Sequence, residues 1–259
     1  MPIHPTAIVS PKAELARDVT VEAYSIIGPG VVIGSGTEVG SHAVIEGNTS
    51  IGENNRIFPF ASIGLAPQDI TYAGEQTKVS IGDNNIVREY VTIHRGTARG
   101  RGTTRIGDRV FLMAYAHVAH DCQIGDGVLM ANAATLGGHV EVGQYAVLGG
   151  IVAIHQFVRI GDYSCIGGFS GVVMDIPPYM LATGAQRAKL YGPNLIGLRR
   201  HGFSAKSIQG IKRFYRIFWR SGLSLNEAVK RAREEIEPLP EVEKLIELVS
   251  FSSTRGLSR

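Results

Sequence analysis

The run Ile124-Gly125-Asp126-Gly127-Val128-Leu129-Met130-Ala131-Asn132-Ala133-Ala134-Thr135-Leu136-Gly137-Gly138-His139-Val140-Glu141-Val142 decides the fold, because every sixth residue in it is aliphatic. The beat extends both ways, from Ile106 through Leu112 and Val118 and on through Leu148, Ile154, Ile160 and Ile166 to Val172, without a missed slot. The fifth position of each hexad is as strict. It holds small or β-branched residues: Val110, Ala116, Cys122, Val128, Ala134, Val140, Ala146, Val152, Val158, Ser164 and Ser170. Gly often follows the aliphatic residue, as in Ile106-Gly107, Ile124-Gly125 and Ile160-Gly161. This is a hexapeptide repeat, and such repeats build parallel β-helices.

Working outward, the same beat runs from Ile3 through Val9, Leu15, Val21 and Ile27 to Ile63. It breaks where the next slots hold Asp69 and Glu75, resumes at Ile81, Val87 and Ile93, and breaks again over 95–105. Each break reads as a loop leaving the coil, over 64–80 and 95–105. Three hexads make one triangular coil, so residues eighteen apart stack at roughly 4.8 Å. Twenty-six hexads give between eight and nine coils. The same counting puts Ile63, Ile93, Val118, Leu136 and Ile154 on one face, so both loops leave from one edge. The coil should end near Asp175-Ile176-Pro177-Pro178, since two prolines cannot donate to a ladder.

After Gly184 and Gly192 the pattern turns helical. Ser204 reads as a cap, and Ile208, Ile211, Tyr215 and Phe218 form one apolar stripe. Lys206, Arg213, Arg216 and Arg220 line the opposite side. A second helix opens at Ser224 with Glu227 three residues on, a capping box, and a third spans Val242 to Phe251. The expected organisation is a β-helix over residues 1–188 and a C-terminal helical domain over 189–259.

Composition agrees. Only 19% of residues are charged and Gly numbers 32, as a solenoid with a continuous core and many corners requires. A net charge of +3 does not imply a nucleic-acid partner. Two cysteines make no disulfide framework, and Cys122 falls in an inward slot, so a buried thiol in a reducing compartment is expected. Met1-Pro2-Ile3-His4-Pro5 carries no signal-peptide pattern, and no window of eighteen apolar residues spans a membrane. A cytoplasmic location is the expectation.

The face that carries both loops is rich in histidine: His94, His120, His139 and His155, with His117 placed at the corner just before. Taken singly, each is most simply a surface or hydrogen-bonded histidine. Their clustering beneath two irregular loops suggests a site. The hexad positions of His120, His139 and His155 differ, so one convergent ring is not expected. Asp121 follows His120, and a carboxylate beside an imidazole can set its tautomer and stabilise the imidazolium, although a solvated corner aspartate would look the same. There is no G-x-S-x-G elbow, P-loop or dinucleotide fingerprint. A direct transfer aided by a histidine base is therefore favoured over a covalent intermediate. Histidine strips also bind zinc, which keeps a metal site open as a competing reading.

Four segments carry a family resemblance: Val91-Thr92-Ile93-His94-Arg95-Gly96-Thr97, Ala116-His117-Val118-Ala119-His120-Asp121-Cys122, Ile154-His155-Gln156-Phe157 and Asp175-Ile176-Pro177-Pro178-Tyr179. With Arg199-Arg200-His201-Gly202-Phe203 and the closing Ser253-Thr254-Arg255-Gly256-Leu257, they strongly resemble the UDP-N-acetylglucosamine acyltransferases that begin lipid A synthesis in Gram-negative bacteria. The resemblance implies a mainly β fold, a left-handed parallel β-helix, with the handedness coming from the family alone. It also implies a homotrimer with sites between subunits. The implied reaction moves a 3-hydroxyacyl chain from acyl carrier protein, held on its phosphopantetheine thioester, to the 3-hydroxyl of UDP-N-acetylglucosamine. No cofactor and no metal are implied.

Carried over residue by residue, the catalytic histidine falls on His120, its carboxylate on Asp121, and a backbone N–H near the thioester oxygen on Gly138. Sugar-nucleotide contacts fall on Gln68, Asp69, His117, His139, His155, Gln156 and Arg200, and the acyl-chain ruler on Gly168. Without a side chain there, a longer acyl chain is expected. Arg199, Lys206, Arg213, Arg216 and Arg220 would suit the acidic carrier protein. Thr71 replaces a lysine and Ile196 an acidic residue on the sugar side, which leaves a 3-amino acceptor open. Three alternatives stand beside this reading: an acetyl-CoA-dependent acetyltransferase, a zinc hydratase on the same coil, and a non-catalytic binding solenoid.

Overall fold

The structure is a computed structural model and describes residues 3–250 and 255–258. Short strands wind into a prism with three walls. Residues eighteen apart pair in parallel on each, as in Val118 with Leu136 and Leu136 with Ile154. Among the described residues the walls hold nine, eight and ten strands. The two breaks add their own length to the repeat without disturbing the stack, since Ile63 pairs with Ile93 and Ile93 with Val118. The nine-stranded wall is thus the histidine face, and both loops leave it.

The excursions are shorter than the broken beat suggests. Strand Lys78–Ile81 pairs back to Asn48–Ile51 and forward to Thr103–Ile106, so ladder bonds recruit residues outside the hexad pattern. The chain leaves the coil only over 66–77 and 95–102. The aliphatic slots fill the prism, with Ile63, Ile93, Leu112, Val118, Met130, Leu136 and Leu148 all fully buried. The fifth-position residues line the same interior, and the polar ones bond a corner carbonyl: Ser164 Oγ to Gly161 O at 2.7 Å, Ser170 Oγ to Gly167 O at 2.6 Å. Cys122 Sγ does likewise at 3.2 Å to Gly137 O, and burial pushes its thiol up to about 12.

The corners are the unusual feature. Many hold a non-glycine residue at positive φ, in columns one coil apart: Tyr24, His42, Phe60, Tyr90 and Tyr115 on one edge, Asp121, His139 and Phe157 on another, Tyr145, Tyr163 and Tyr179 on the third. Such backbone is costly for residues with a Cβ. Stacking offsets part of that cost, as in the continuous series from Tyr24 to Tyr115 with ring centroids 4.9–5.1 Å apart.

Near the expected coil end the wall continues instead of stopping. Strand Met180–Thr183 pairs in parallel with Cys165–Ile166 and turns into an antiparallel hairpin with Lys189–Pro193, an element the sequence reading missed. A short helix, α1 (Leu195–Arg200), was also missed; Gly197, a poor helix former, lies inside it. Helix α2 (Ala205–Arg220) is capped by Ser204, and α3 (Leu225–Glu235) opens with the expected capping box. Helix α4 is Pro240–Ser250, and the expected end at Phe251 lies outside the described residues, as do Ser253 and Thr254. The third corner anchors this helical region: His201 lies 4.9 Å from Tyr145, Phe203 lies 4.9 Å from Tyr163, and Asn194 Nδ2 donates to Tyr163 O. Among the described residues no helix is long and apolar enough to cross a membrane.

Leu136 lies on the histidine face between Val118 and Ile154 with no exposed surface. Leu136→Ala should lower the unfolding free energy by about 3 kcal/mol. Lys230→Ala, at a side chain 79% exposed, should change it by less than about 0.5 kcal/mol, and urea titration compares them.

Candidate active site

The second corner positions the site. Asp121, His139 and Phe157 take the same left-handed backbone on successive coils, so their side chains leave the prism in one column. His120 precedes Asp121, and the two rings His120 and His139 meet edge to face, 5.0 Å apart at 88°. His139 in turn lies flat on Phe157, 4.4 Å away. Hexad positions that looked incompatible therefore do converge for these two histidines, because the corner backbone turns His139 toward its neighbour below. His155 does not join them and stands exposed, its Nδ1 3.2 Å from Gln156 O.

Asp121 is not a solvated corner residue. It has no exposed surface. Its Oδ2 accepts from Thr97 N–H at 3.0 Å and Thr97 Oγ1 at 2.7 Å, and its Oδ1 from Arg101 N–H at 2.8 Å. His120 Nδ1 lies 3.0 Å from the same Oδ2. Burial pushes this carboxyl up, but the hydrogen bonds from Thr97 and His120 outweigh it and leave the group below its ordinary value. An ionised Asp121 can only accept, so the neutral form of His120 is the tautomer with its proton on Nδ1 and its lone pair on Nε2. Gly138 lies against that nitrogen. A Cβ there would stand 2.6 Å from Nε2, so only glycine fits, and the Gly138 N–H meets no acceptor among the described residues.

The neighbouring imidazoles are kept neutral. His139 is lowered by burial, with Asp121 opposing, and His117 is lowered by burial and by His120. His117 is not at a corner. It occupies the strand His117–Val118 and points outward because Val118 points in, with its Nδ1 2.7 Å from Thr92 Oγ1. His94 packs edge-on against it at 5.1 Å and is held down to about 4 by burial, then by His117 and His120.

Asp69 lies in the first excursion. Thr71, the departure noted above, donates both its N–H (2.8 Å) and its hydroxyl (2.9 Å) to Asp69 Oδ1, which holds this carboxyl low. A cationic His120, and Arg99, would lower it further. Arg95 ties this excursion to the coil, donating to Tyr72 Oη at 2.9 Å and Gly64 O at 2.8 Å. Gln68, Gln156 and Arg200 are exposed and do not join the His120 cluster. Gly168 is exposed at its corner, where a Cβ would lie 3.3 Å from Gly150 O.

Of the basic residues, Arg199, Lys206, Arg213 and Arg216 line a groove of about 910 Å³ beside α2. Lys206 pairs with Glu237 and Arg213 with Glu235, while Arg220 turns onto Tyr215 Oη at 3.0 Å and lies outside the groove. A metal would find its best candidate ligands in His120, Asp121 and His139, whose ligand atoms lie within 4.8 Å of one another. Oδ2 already accepts three donors, so an ion there would have to displace Thr97 and His120. The arrangement suits proton transfer better. Residues to which the sequence reading gave no role are Thr97, Arg101 and Phe157; the contacts of Thr97 and Arg101 run across the coil and leave no periodic signal.

Comparison with known proteins gives the family and the fold. The six-repeat bacterial transferase hexapeptide family model matches residues 12–47 and 103–138, and "Udp N-acetylglucosamine O-acyltransferase; Domain 2" matches 175–258. The acyl-[acyl-carrier-protein]–UDP-N-acetylglucosamine O-acyltransferase of Syntrophobacter fumaroxidans is 61% identical over 100% of both chains. That of Thermodesulfovibrio yellowstonii is 54% identical over 99% of both. The chain belongs to this O-acyltransferase family. The solved acyltransferase structure from Acinetobacter baumannii is 44% identical, covers 99% of each chain and superposes with a TM-score of 0.94. The corresponding enzyme from Moraxella catarrhalis gives 44% and 0.95 over both whole chains. As in the family, the fold is a left-handed parallel β-helix with a short C-terminal helical region.

For this O-acyltransferase family member, His94 sets an acid limit. Unfolded, it takes up a proton below about 6.5; folded, it resists until about 4. The unfolded state therefore binds more protons in that window, and stability falls as pH drops from about 6.5 toward about 4, by up to about 3 kcal/mol. His94→Phe should make the stability curve shallower in that window, with His117 and His139, also lowered, leaving part of the slope, and urea unfolding at stepped pH measures it.

Proposed function

We propose that this protein transfers a 3-hydroxyacyl chain from acyl carrier protein to the 3-hydroxyl of UDP-N-acetylglucosamine, the first step of lipid A biosynthesis. One observation carries the mechanism: His120 Nδ1 is bound by a buried, ionised Asp121, which leaves Nε2 basic and facing Gly138. Nε2 takes the proton as the sugar hydroxyl attacks the thioester carbonyl. Asp121 stabilises the imidazolium so formed, and the free Gly138 N–H serves the developing oxyanion. Collapse of the tetrahedral adduct expels the carrier thiol, which recovers the proton from His120. No acyl-enzyme forms: Cys122 is a buried thiol raised to about 12, unfit as a nucleophile. The thioester co-substrate supplies the acyl group, and no cofactor takes part.

Gln68, Asp69, His117, His139, His155, Gln156 and Arg200 hold the sugar nucleotide in this reading. The exposed ones require a wall that a single prism lacks, which supports a homotrimer with sites at the seams. The outer row of the histidine face supports it too: Ile8, Ile26 and Val44 at one end are apolar where a lone solenoid would be polar, and Ile8 is 64% exposed. Arg199 and Arg216, which make no ion pair among the described residues, lead the attraction to the acidic carrier protein, with Lys206 and Arg213 shared with glutamates. Arg220 belongs to that surface only through Tyr215. The reaction is placed in the cytoplasm.

The test is acyl transfer from a panel of 3-hydroxyacyl carrier proteins, with acetyl-CoA alongside, to UDP-N-acetylglucosamine and its 3-amino analogue. Transfer to the hydroxyl should fall by about 10²- to 10⁴-fold in His120→Ala. Equal rates in the mutant would remove the base assignment, and preference for acetyl-CoA would remove the carrier protein.

Gly168 is the proposed ruler. The wild type should prefer the longer acyl chains of the panel, and Gly168→Met, adding a side chain beside Gly150, should move the optimum to shorter ones.

A further inference from the structure

The second excursion, 95–102, reads at first as a substrate loop. Its contacts point inward instead. Thr97, only 4% exposed, spends both of its donors on Asp121 Oδ2, and Arg101 N–H bonds Oδ1. The Arg101 guanidinium also reaches Asp121 O at 3.3 Å, and Thr104 Oγ1 accepts the Asp121 N–H at 2.8 Å. Two glycines bring the loop backbone onto the carboxylate: a Cβ on Gly96 would stand 2.9 Å from Oδ1, and one on Gly100 would stand 2.4 Å from Oδ2. The loop is a collar around one buried carboxylate.

A carboxylate closed off from water must find all its donors in the protein. Two of the three donors on Oδ2 come from Thr97 and the third is His120. Thr97 therefore shares with the imidazole the oxygen that orients it. We propose that Thr97 is a positioning residue, aiming the Asp121 carboxylate at His120 Nδ1 so that Nε2 is presented to the acceptor hydroxyl. This rests on the reading of His120 as the base. Thr97 touches no reacting atom, and its effect passes through Asp121.

Removing the hydroxyl leaves Oδ2 one charge-assisted bond short. The oxygen then holds the His120 proton more tightly, which raises the imidazole's proton affinity. The groups that also act on the pair are His139 on the next coil, His117 and His94 on the histidine face, Asp69 from the first excursion and Arg101 from the second, while Arg99 acts on Asp69. Thr97→Val leaves all of them in place and is nearly isosteric.

The experiment measures kcat and KM across pH for the wild type, Thr97→Val, Thr97→Ser and His120→Ala. In Thr97→Val, kcat should fall about tenfold to a hundredfold, the worth of one hydrogen bond to a charged group, with KM for the sugar nucleotide little changed. The acid limb of the pH profile should move to higher pH. Thr97→Ser keeps both donors and should restore rate and limb. A merely structural threonine would lower thermal stability in Thr97→Val and leave the limb in place, which overturns the proposal. So would wild-type kcat in the valine protein. If instead His120→Ala keeps wild-type turnover, the base assignment itself fails. Should Thr97→Val not fold, Thr97→Cys, with a weak donor of similar size, takes its place and must show the same upward limb.

Discussion

A coil with three short strands must turn three times in eighteen residues, and the structure depends on meeting that constraint at the corners. The interior leaves room for only one aliphatic side chain per strand and one small residue per corner, which is why slots such as Leu136 and Ala134 have no exposed surface. Many corners demand backbone that residues with a Cβ avoid; some are glycine, as at Gly30, Gly36 and Gly127, and one edge is held by a column of rings that stack from coil to coil. The stacking makes each strained corner easier to keep because its neighbours above and below keep theirs. The same device does two further jobs. On one edge Tyr145, Tyr163 and Tyr179 receive the helical region through His201 and Phe203. On another the column carries Asp121, His139 and Phe157, and forms the candidate site.

The electrostatics of that site follow from what surrounds a single buried charge. Asp121 is ionised because the second excursion surrounds it with donors, and it can then hold His120 in one tautomer. His139, His117 and His94 are all pushed toward the neutral form, each first of all by burial. Neutral imidazoles neither compete for the carboxylate nor repel the cation that the proposed proton transfer to His120 would create. The cluster is thus one carboxylate and one proton acceptor set among hydrogen-bonding but uncharged rings.

Much of this was legible in the chain alone. The unbroken beat from Ile106 to Val172 gave the coil, its interior residues and the face that bears both loops. Register followed because each break adds its length to a single corner, so Ile63 still stacks on Ile93 and Ile93 on Val118. The caps at Ser204 and Ser224 were equally readable, since capping is a local bargain between a side chain and the next turn. The hairpin Met180–Thr183 with Lys189–Pro193 was not: its strand pairs with a neighbour far back in the sequence and follows no repeat.

The sequence by itself determined the periodic part of the protein, because burial in a solenoid repeats every six residues and writes itself into composition at fixed intervals. It also placed His120 beside Asp121, since they are adjacent in the chain. Only the tertiary structure decided that Asp121 is buried and ionised, that His139 turns toward His120 while His155 does not, and that Thr97 and Arg101 close over the carboxylate. Those outcomes rest on the left-handed corner backbone and on a loop with no repeat of its own. A contact across coils, some twenty residues away in sequence, leaves no mark that a period can reveal.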